Sequence, residues 1–338
     1  MKQVRIVEPG LVEVEDVPPP APQPGQALVR VLYAGVCGSD VHTYRGVNPL
    51  CRYPLVPGHE LSARIEQIKG PSDGLGVGDT VVVEPLLRCG GCYPCRQGRY
   101  NCCEKLQVMG VHVDGGMREM LALPVELLHG IPADLAPRLA ALVEPSTIGW
   151  QGVTRGRVSA DDTVVVIGAG PIGSLAAVAA KSLGATVGIW EIRADRLARA
   201  ERLGLDFVID ANAPDAADKT IRELGAPPSV VVEAVGPSHT VRAAIELVRP
   251  AGRVVVIGLS PEDVRFAEVL VIRKEIDILG SRNSCRMFPR AIEFVRSHQD
   301  ILAPLITQEF PLDEAERAIQ TMMDTGSDAM KAMVRIGG

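Results

Sequence analysis

Five of the eight cysteines, Cys89, Cys92, Cys95, Cys102 and Cys103, fall within one short segment, while Cys37, Cys51 and Cys285 stand alone. Clustered cysteines in an intracellular chain bind metal more often than they pair covalently. Four thiolates satisfy tetrahedral zinc and leave no open position, so such a site is chemically inert. A different donor set lies upstream, in Cys37-Gly-Ser-Asp-Val-His42 and Gly58-His59-Glu60. A thiolate and an imidazole suit a zinc that keeps a position open for substrate or water. Taken singly, Cys37 reads as a core cysteine and His59 as a hydrogen-bonded surface residue. Their company in this chain favours the metal.

A third group of residues points to a nucleotide. The run Thr163–Ile167 leads directly into Gly168-Ala169-Gly170-Pro171-Ile172-Gly173, which opens a helical stretch. In that context Gly168 permits the tight turn, Gly170 lets a pyrophosphate approach the backbone, and Gly173 lets the helix pack on its strand. The phosphates then sit at the positive end of the helix dipole. Glu191 follows 23 residues after Gly168, where a carboxylate accepts hydrogen bonds from the adenosine ribose and repels a 2′-phosphate. NAD is therefore expected over NADP. Arg193 and Arg196 weigh the other way, since an arginine there binds a 2′-phosphate or lies along the ribose.

These residues need a scaffold. A chain of 338 residues suggests about two domains at roughly 150 residues each. The first 145 residues read as mostly β, with short runs such as Ala27–Tyr33, Leu61–Ile68 and Thr80–Val83 bounded by Pro and Gly. From about Asp161 apolar strands alternate with helical stretches. The strands are Thr163–Ile167, Thr186–Trp190, Phe207–Ile209, Val230–Glu233 and Arg253–Ile257, a pattern that implies a parallel sheet covered on both faces. Beyond Gly280 two helices, near Pro289–Ser297 and Leu312–Met323, and a strand at Lys331–Ile336 return to the first domain. A formal net charge of −6 argues against nucleic acid or an anionic membrane as partner. The N-terminus shows no signal-peptide pattern and no apolar run reaches 18 residues, so a cytoplasmic protein without a membrane span is expected.

The sequence resembles the zinc-containing medium-chain dehydrogenases across essentially its whole length. The matching pieces are Cys37-Gly-Ser-Asp-x-His, Gly58-His-Glu, Gly78-Asp-x-Val, the cysteine cluster, Glu144-Pro145 and Gly168-x-Gly-Pro-x-Gly, in the family's order. The resemblance implies an α/β fold: a GroES-like, β-rich catalytic domain at 1–145 and 284–338, and a doubly wound Rossmann NAD-binding domain at 146–283, with the active site in the cleft. It implies that Cys37 and His59 hold a catalytic zinc. No cysteine lies near Glu144, so the site looks like the sorbitol dehydrogenase branch, where glutamates take over, and Glu60 and Glu144 are the candidates. It also implies a structural zinc on Cys89, Cys92, Cys95 and Cys103, with Cys102 a spare thiol. Ser39 and His42 fit the family's proton relay from the substrate hydroxyl to solvent, and Asp40 fits a residue that orients His59. The metal would lower the pKa of the alcohol, and hydride would pass to the nicotinamide. The family is usually dimeric or tetrameric.

Within the family, Asn101-Cys-Cys-Glu-Lys and Gly110-Val-His-Val-Asp-Gly-Gly look like the polyol and sugar-acid dehydrogenases, those acting on L-galactonate in particular. Gly280-Ser-Arg-Asn283 strengthens that likeness, and Arg282 or Asn283 would contact a substrate hydroxyl or carboxylate. The expected reaction is NAD-dependent oxidation of a secondary hydroxyl on a polyol or aldonate. Sorbitol, polyol-phosphate and L-threonine 3-dehydrogenases are the alternatives, and a non-catalytic nucleotide-binding protein is a distant one.

Overall fold

The computed structural model describes residues 1–72, 74–324 and 326–337. Asp73, Thr325 and Gly338 lie outside the described residues, including the last position of the expected first domain. The chain divides into two compact units, Met1–Glu144 with Phe288–Gly338, and Pro145–Met287.

The first unit is built on a seven-stranded sheet. Its long central strands, Gln26–Gly35 and Glu60–Lys69, run antiparallel and register Gly35 against Glu60. Thr80–Val83 and Leu128–Gly130 extend one side, while Lys331–Arg335 and Ile306–Pro311 extend the other. Alternate residues Ala27, Val29 and Val31 are fully buried beside half-buried neighbours, the period-two pattern that places one sheet face on a core. Leu61, Ile65, Met117, Leu123 and Ile319 complete that core. The sheet's Lys331–Arg335 strand arrives from the far end of the chain and pairs Met333 with Gly35.

The second unit is a six-stranded, all-parallel sheet in the order Phe207–Asp210, Thr186–Glu191, Thr163–Ile167, Val230–Glu233, Arg253–Val256, Asp277–Gly280. Valines 164, 165, 166, 230, 231 and 232 are fully buried, as strands covered on both faces require. Each such burial contributes about 1.5–3 kcal/mol relative to exposure. The order reverses direction beside Thr163–Ile167, the switch point at which doubly wound sheets take up ligands.

Among the elements that the sequence reading does not give, two are instructive. The helix Val143–Arg155 contains Pro145, Gly149, Gly152 and β-branched residues, a composition of low helix propensity. Tertiary packing overrides it: a β-carbon at Gly149 would stand 2.8 Å from the Ala176 nitrogen, so the glycine lets two helices meet backbone to backbone. The edge strand Asp277–Gly280 is mostly exposed and lacks the apolar run of its neighbours. The stretch Leu312–Met323 also begins differently from expectation, as a 3-10 turn at Leu312–Glu314 before the α-helix Ala315–Met323.

Candidate metal centres and nucleotide site

The donor atoms of Cys37, His59 and Glu60 lie within 4.8 Å of one another. Local structure explains the convergence. Cys37 caps the helix Gly38–Tyr44, whose Asp40 carboxylate accepts from the Cys37 N–H at 2.8 Å and from the Gly58 N–H at 3.3 Å. Asp40 thus ties the cysteine-bearing turn to the histidine-bearing turn through two backbone groups. The expected contact differs in detail: Asp40 reaches His59 through Gly58 and through charge, and His59 Nδ1 is buried without a hydrogen-bond partner.

Gly58, with φ +95°, aims His59 inward. Gly110 and Gly115 pack against its backbone, and a β-carbon at Gly110 would stand 2.8 Å from the Gly58 nitrogen. Gly115 and Gly116 also donate to the carbonyls of Val56 and Gly58, at 2.7 and 2.9 Å. The Gly110–Gly116 run, read above as a mark of substrate class, is here the buttress of the His59 turn.

Glu60 opens the strand Glu60–Lys69, and its carboxylate lies over Gly35, where a β-carbon would overlap Oε2. Both its oxygens accept from Lys331 Nζ, at 2.7 and 2.8 Å, and the lysine also donates to the Val36 carbonyl at 3.2 Å. The pair is almost wholly withdrawn from solvent, with side-chain exposures of 4% and 1%. Sequence reasoning missed Lys331. Its one signal is a lysine leading an apolar strand, and nothing in the sequence reveals a partner 271 residues away.

Glu144 begins the Val143–Arg155 helix and is also buried. It is not among the three residues with mutually close donor atoms, yet it acts electrostatically on His59 and Glu60. Burial, reinforced by Glu60 and Asp40 against His59 and Lys331, pushes its carboxyl up to about 7. Burial works against a charged His59, but Cys37, Asp40 and Glu144 outweigh it and hold the imidazole well above its ordinary value. Burial likewise opposes the Lys331 ammonium, and Glu60, Cys37 and Glu144 outweigh it. Three buried carboxyls and a thiol therefore face one lysine and one imidazole. The acid excess, the partnerless Nδ1 and the mixed sulfur, nitrogen and oxygen donors all fit a bound divalent cation.

Ser39 and His42 lie three residues apart on the Gly38–Tyr44 helix, hence on one side of it. Ser39 is half-buried and His42 is exposed to solvent.

The sulfurs of Cys89, Cys92, Cys95 and Cys103 form a second group of the same closeness, which does not include Cys102. All eight cysteines are free thiols. Backbone N–H groups of Gly91 and Cys92 draw the Cys89 thiol down to about 6, while burial and the neighbouring thiols of Cys92 and Cys103 push Cys95 up to about 12. Cys103 Sγ accepts from the N–H groups of Cys89 and Lys105, at 3.3 and 3.4 Å. N–H donors aimed at sulfur stabilise thiolates, the form a metal requires.

In the second unit, Gly168 has φ +99°, and a β-carbon there would stand 2.5 Å from the Val235 side chain. A β-carbon at Gly173 would overlap the Gly168 carbonyl oxygen. Pro171 starts the helix Pro171–Ser182 with Ile172 following, and Gly170, the end of the glycine loop, is its N-cap with no side chain capping the first turn. Glu191 is buried, and its carboxylate accepts from the N–H groups of Ala169, Ile192 and Arg193, at 2.9, 2.7 and 3.1 Å. It joins the glycine loop to the end of the neighbouring strand. Arg196 stands over Gly170, its Nη1 3.7 Å from where a β-carbon would lie and 3.8 Å from Glu191 Oε2. Arg193 is held by Asp195. Arg282 is exposed after the last strand, and Asn283 is half-buried with φ +44°.

The alcohol dehydrogenase GroES-like domain family matches residues 23–133, and the zinc-binding dehydrogenase family matches residues 171–297. A zinc-type alcohol dehydrogenase-like protein of Haemophilus influenzae is 36% identical over 98% of this chain and 97% of its own. L-galactonate-5-dehydrogenase of Escherichia coli is 37% identical over 78% of each chain, and human sorbitol dehydrogenase 32% over 93% and 90%. An alcohol dehydrogenase of Escherichia coli CFT073 solved with NADH superposes with a TM-score of 0.91 at 32% identity over 99% of both chains. A zinc-binding dehydrogenase of Sinorhizobium meliloti solved with NADP gives 0.92 at 29% identity over 99% and 98%. With a fold of this topology and likeness along nearly its full length, the chain belongs to the zinc-containing medium-chain dehydrogenases, in their sorbitol dehydrogenase-like branch.

Proposed function

We propose that this enzyme oxidises a secondary hydroxyl of a polyol or sugar acid, of the L-galactonate kind, with NAD as hydride acceptor. The observation that carries the reading is the convergence of half-buried Cys37 with buried His59 and Glu60 in a region of excess acid. Cys37 and His59 would hold the catalytic zinc together with a carboxylate from Glu60 or Glu144. Zinc, when bound, polarises a substrate hydroxyl and makes its proton easier to remove. Ser39 would accept that proton while donating its own hydroxyl proton towards His42, whose exposed ring would release a proton to solvent. Lys331 holds Glu60 in place and compensates its charge within the protein interior. Cys89, Cys92, Cys95 and Cys103 would hold a second zinc that is purely structural.

The glycine loop Gly168–Gly173 would take the pyrophosphate of NAD, with Glu191 at the adenosine ribose and Arg196 beside it. Arg282 would favour a carboxylate on the substrate by a bidentate hydrogen bond, with Asn283 on a hydroxyl. Like most of its family, the protein would work as a homodimer or homotetramer. The test is NAD reduction across polyols, aldonates and polyol phosphates. Turnover of polyhydroxylated substrates is expected, and activity confined to simple primary alcohols overturns the reading. Replacing Arg282 with leucine should raise KM for aldonates while leaving that for polyols unmoved.

A further inference from the structure

The adenosine end of the nucleotide site carries two arginines, and their engagement differs. Arg193 donates from Nε to Asp195 Oδ1 and from Nη2 to Asp195 Oδ2, both at 3.0 Å. This is the side-by-side fork that matches a guanidinium edge to a carboxylate, and the same edge matches a phosphate. A carboxylate already seated there leaves that edge no donor for a 2′-phosphate. Arg196, by contrast, faces Gly170 and Glu191, and its Nε is buried without a hydrogen-bond partner. The Glu191 carboxylate is committed to three backbone N–H groups, that of Arg193 among them, and so is fixed in place. A dinucleotide bearing a 2′-phosphate would bring about two negative charges to a fixed carboxylate, and the fork of Arg193, whose backbone N–H that carboxylate holds, is already filled by Asp195.

We propose that Asp195 determines cofactor choice by acting through Arg193: it occupies the guanidinium edge that would otherwise receive a 2′-phosphate. Asp195 is a positioning residue, since it need not touch the cofactor. The inference rests on the nucleotide reading of Gly168–Gly173 and deepens it. It also makes specificity a property of three side chains, Glu191, Arg193 and Asp195, rather than of Glu191 alone. The salt bridge is partly exposed, at 27% and 33%, so its removal should cost little stability and leave the fold intact.

The test measures binding directly, by titrating NADH and NADPH against the nicotinamide fluorescence, beside kcat/KM for NAD and NADP. Wild type should bind NADH in preference to NADPH. Asp195→Ala should tighten NADPH by about tenfold or more, the scale of one charge-assisted pair, while NADH changes by less than about threefold. Asp195→Asn, which keeps one acceptor and loses the charge, should fall between. In the double variant Arg193→Ala/Asp195→Ala the NADPH gain should vanish, an outcome that a merely structural role for Asp195 would not produce. The proposal is overturned if Asp195→Ala shifts the NADPH-to-NADH ratio less than about threefold. It is equally overturned if the double variant keeps the gain, or if wild type binds both dinucleotides alike. Failure of wild type to bind either one would remove the nucleotide reading itself.

Discussion

Replacing Lys331 with Met would leave the Glu60 carboxylate buried without the ammonium that contacts both its oxygens. Removing one partner of a buried pair costs about 3–5 kcal/mol, most of it the penalty on the charge left behind. In chelator-treated protein the thermal midpoint of Lys331→Met should therefore drop by many degrees. With zinc present the drop should shrink, because a dication near Glu60 replaces the missing charge; an equal drop in both states would place the metal elsewhere. His42 allows a second test of the proton path. Its exposed ring can exchange with water, so His42→Ala should slow alcohol oxidation more at low pH than at high pH, where hydroxide takes the proton without help. A pH–rate profile parallel to wild type would remove His42 from the relay.

Among the elements, the cysteine loop makes a prediction from its own electrostatics. With Cys89 near 6 and Cys95 near 12, metal-free protein at neutral pH holds Cys89 as thiolate and Cys95 as thiol. Alkylation by iodoacetamide, mapped by mass spectrometry, should mark Cys89 well before Cys95, and added zinc should protect both. The linkage has a definite sign. A thiol whose folded pKa is depressed from 9.0 to about 6 contributes stability that is present above 9.0 and is lost as pH falls through about 6. What the sequence made legible follows the range of each interaction. The strand Thr163–Ile167, its glycine turn and Glu191 are local or nearly so, and their spacing alone placed them. The four-cysteine group was equally readable, because its members lie within one loop. The Gly110–Gly116 buttress was visible as a motif but not as a function, since its role depends on touching Gly58 in three dimensions. Gly115→Ala, whose new methyl would overlap the Gly58 carbonyl, should lower zinc occupancy at Cys37 and His59 while sparing the cysteine loop. The helix Val143–Arg155 was hidden for the opposite reason, because its residues disfavour in isolation what packing enforces.

For the whole molecule, both candidate metal groups belong to the first unit, and the glycine loop belongs to the second. Elemental analysis should give two zinc ions per chain. Cys37→Ser should reduce this to about one and abolish turnover, with a modest fall in melting temperature because the cation that offsets the buried carboxyls is lost. Cys103→Ser should also leave about one, but at a lower melting temperature, because a closed tetrahedral site contributes to folding outright. A single zinc in wild type would contradict the assignment of two sites. The same partition explains why Lys331 and Glu60 could not be paired by reading along the chain. The whole second unit is threaded between them, and only the alignment of Lys331–Arg335 beside Gln26–Gly35 brings them together.

That threading has a consequence for biosynthesis. Glu60 leaves the ribosome 271 residues ahead of the lysine that neutralises it, a delay of roughly 14–54 s at about 5–20 residues per second. Cys37, His59 and Glu60 are thus all made long before Lys331. During that interval the carboxylate lacks its lysine partner, and the order of synthesis offers the site to a metal before it offers it to the protein's own ammonium.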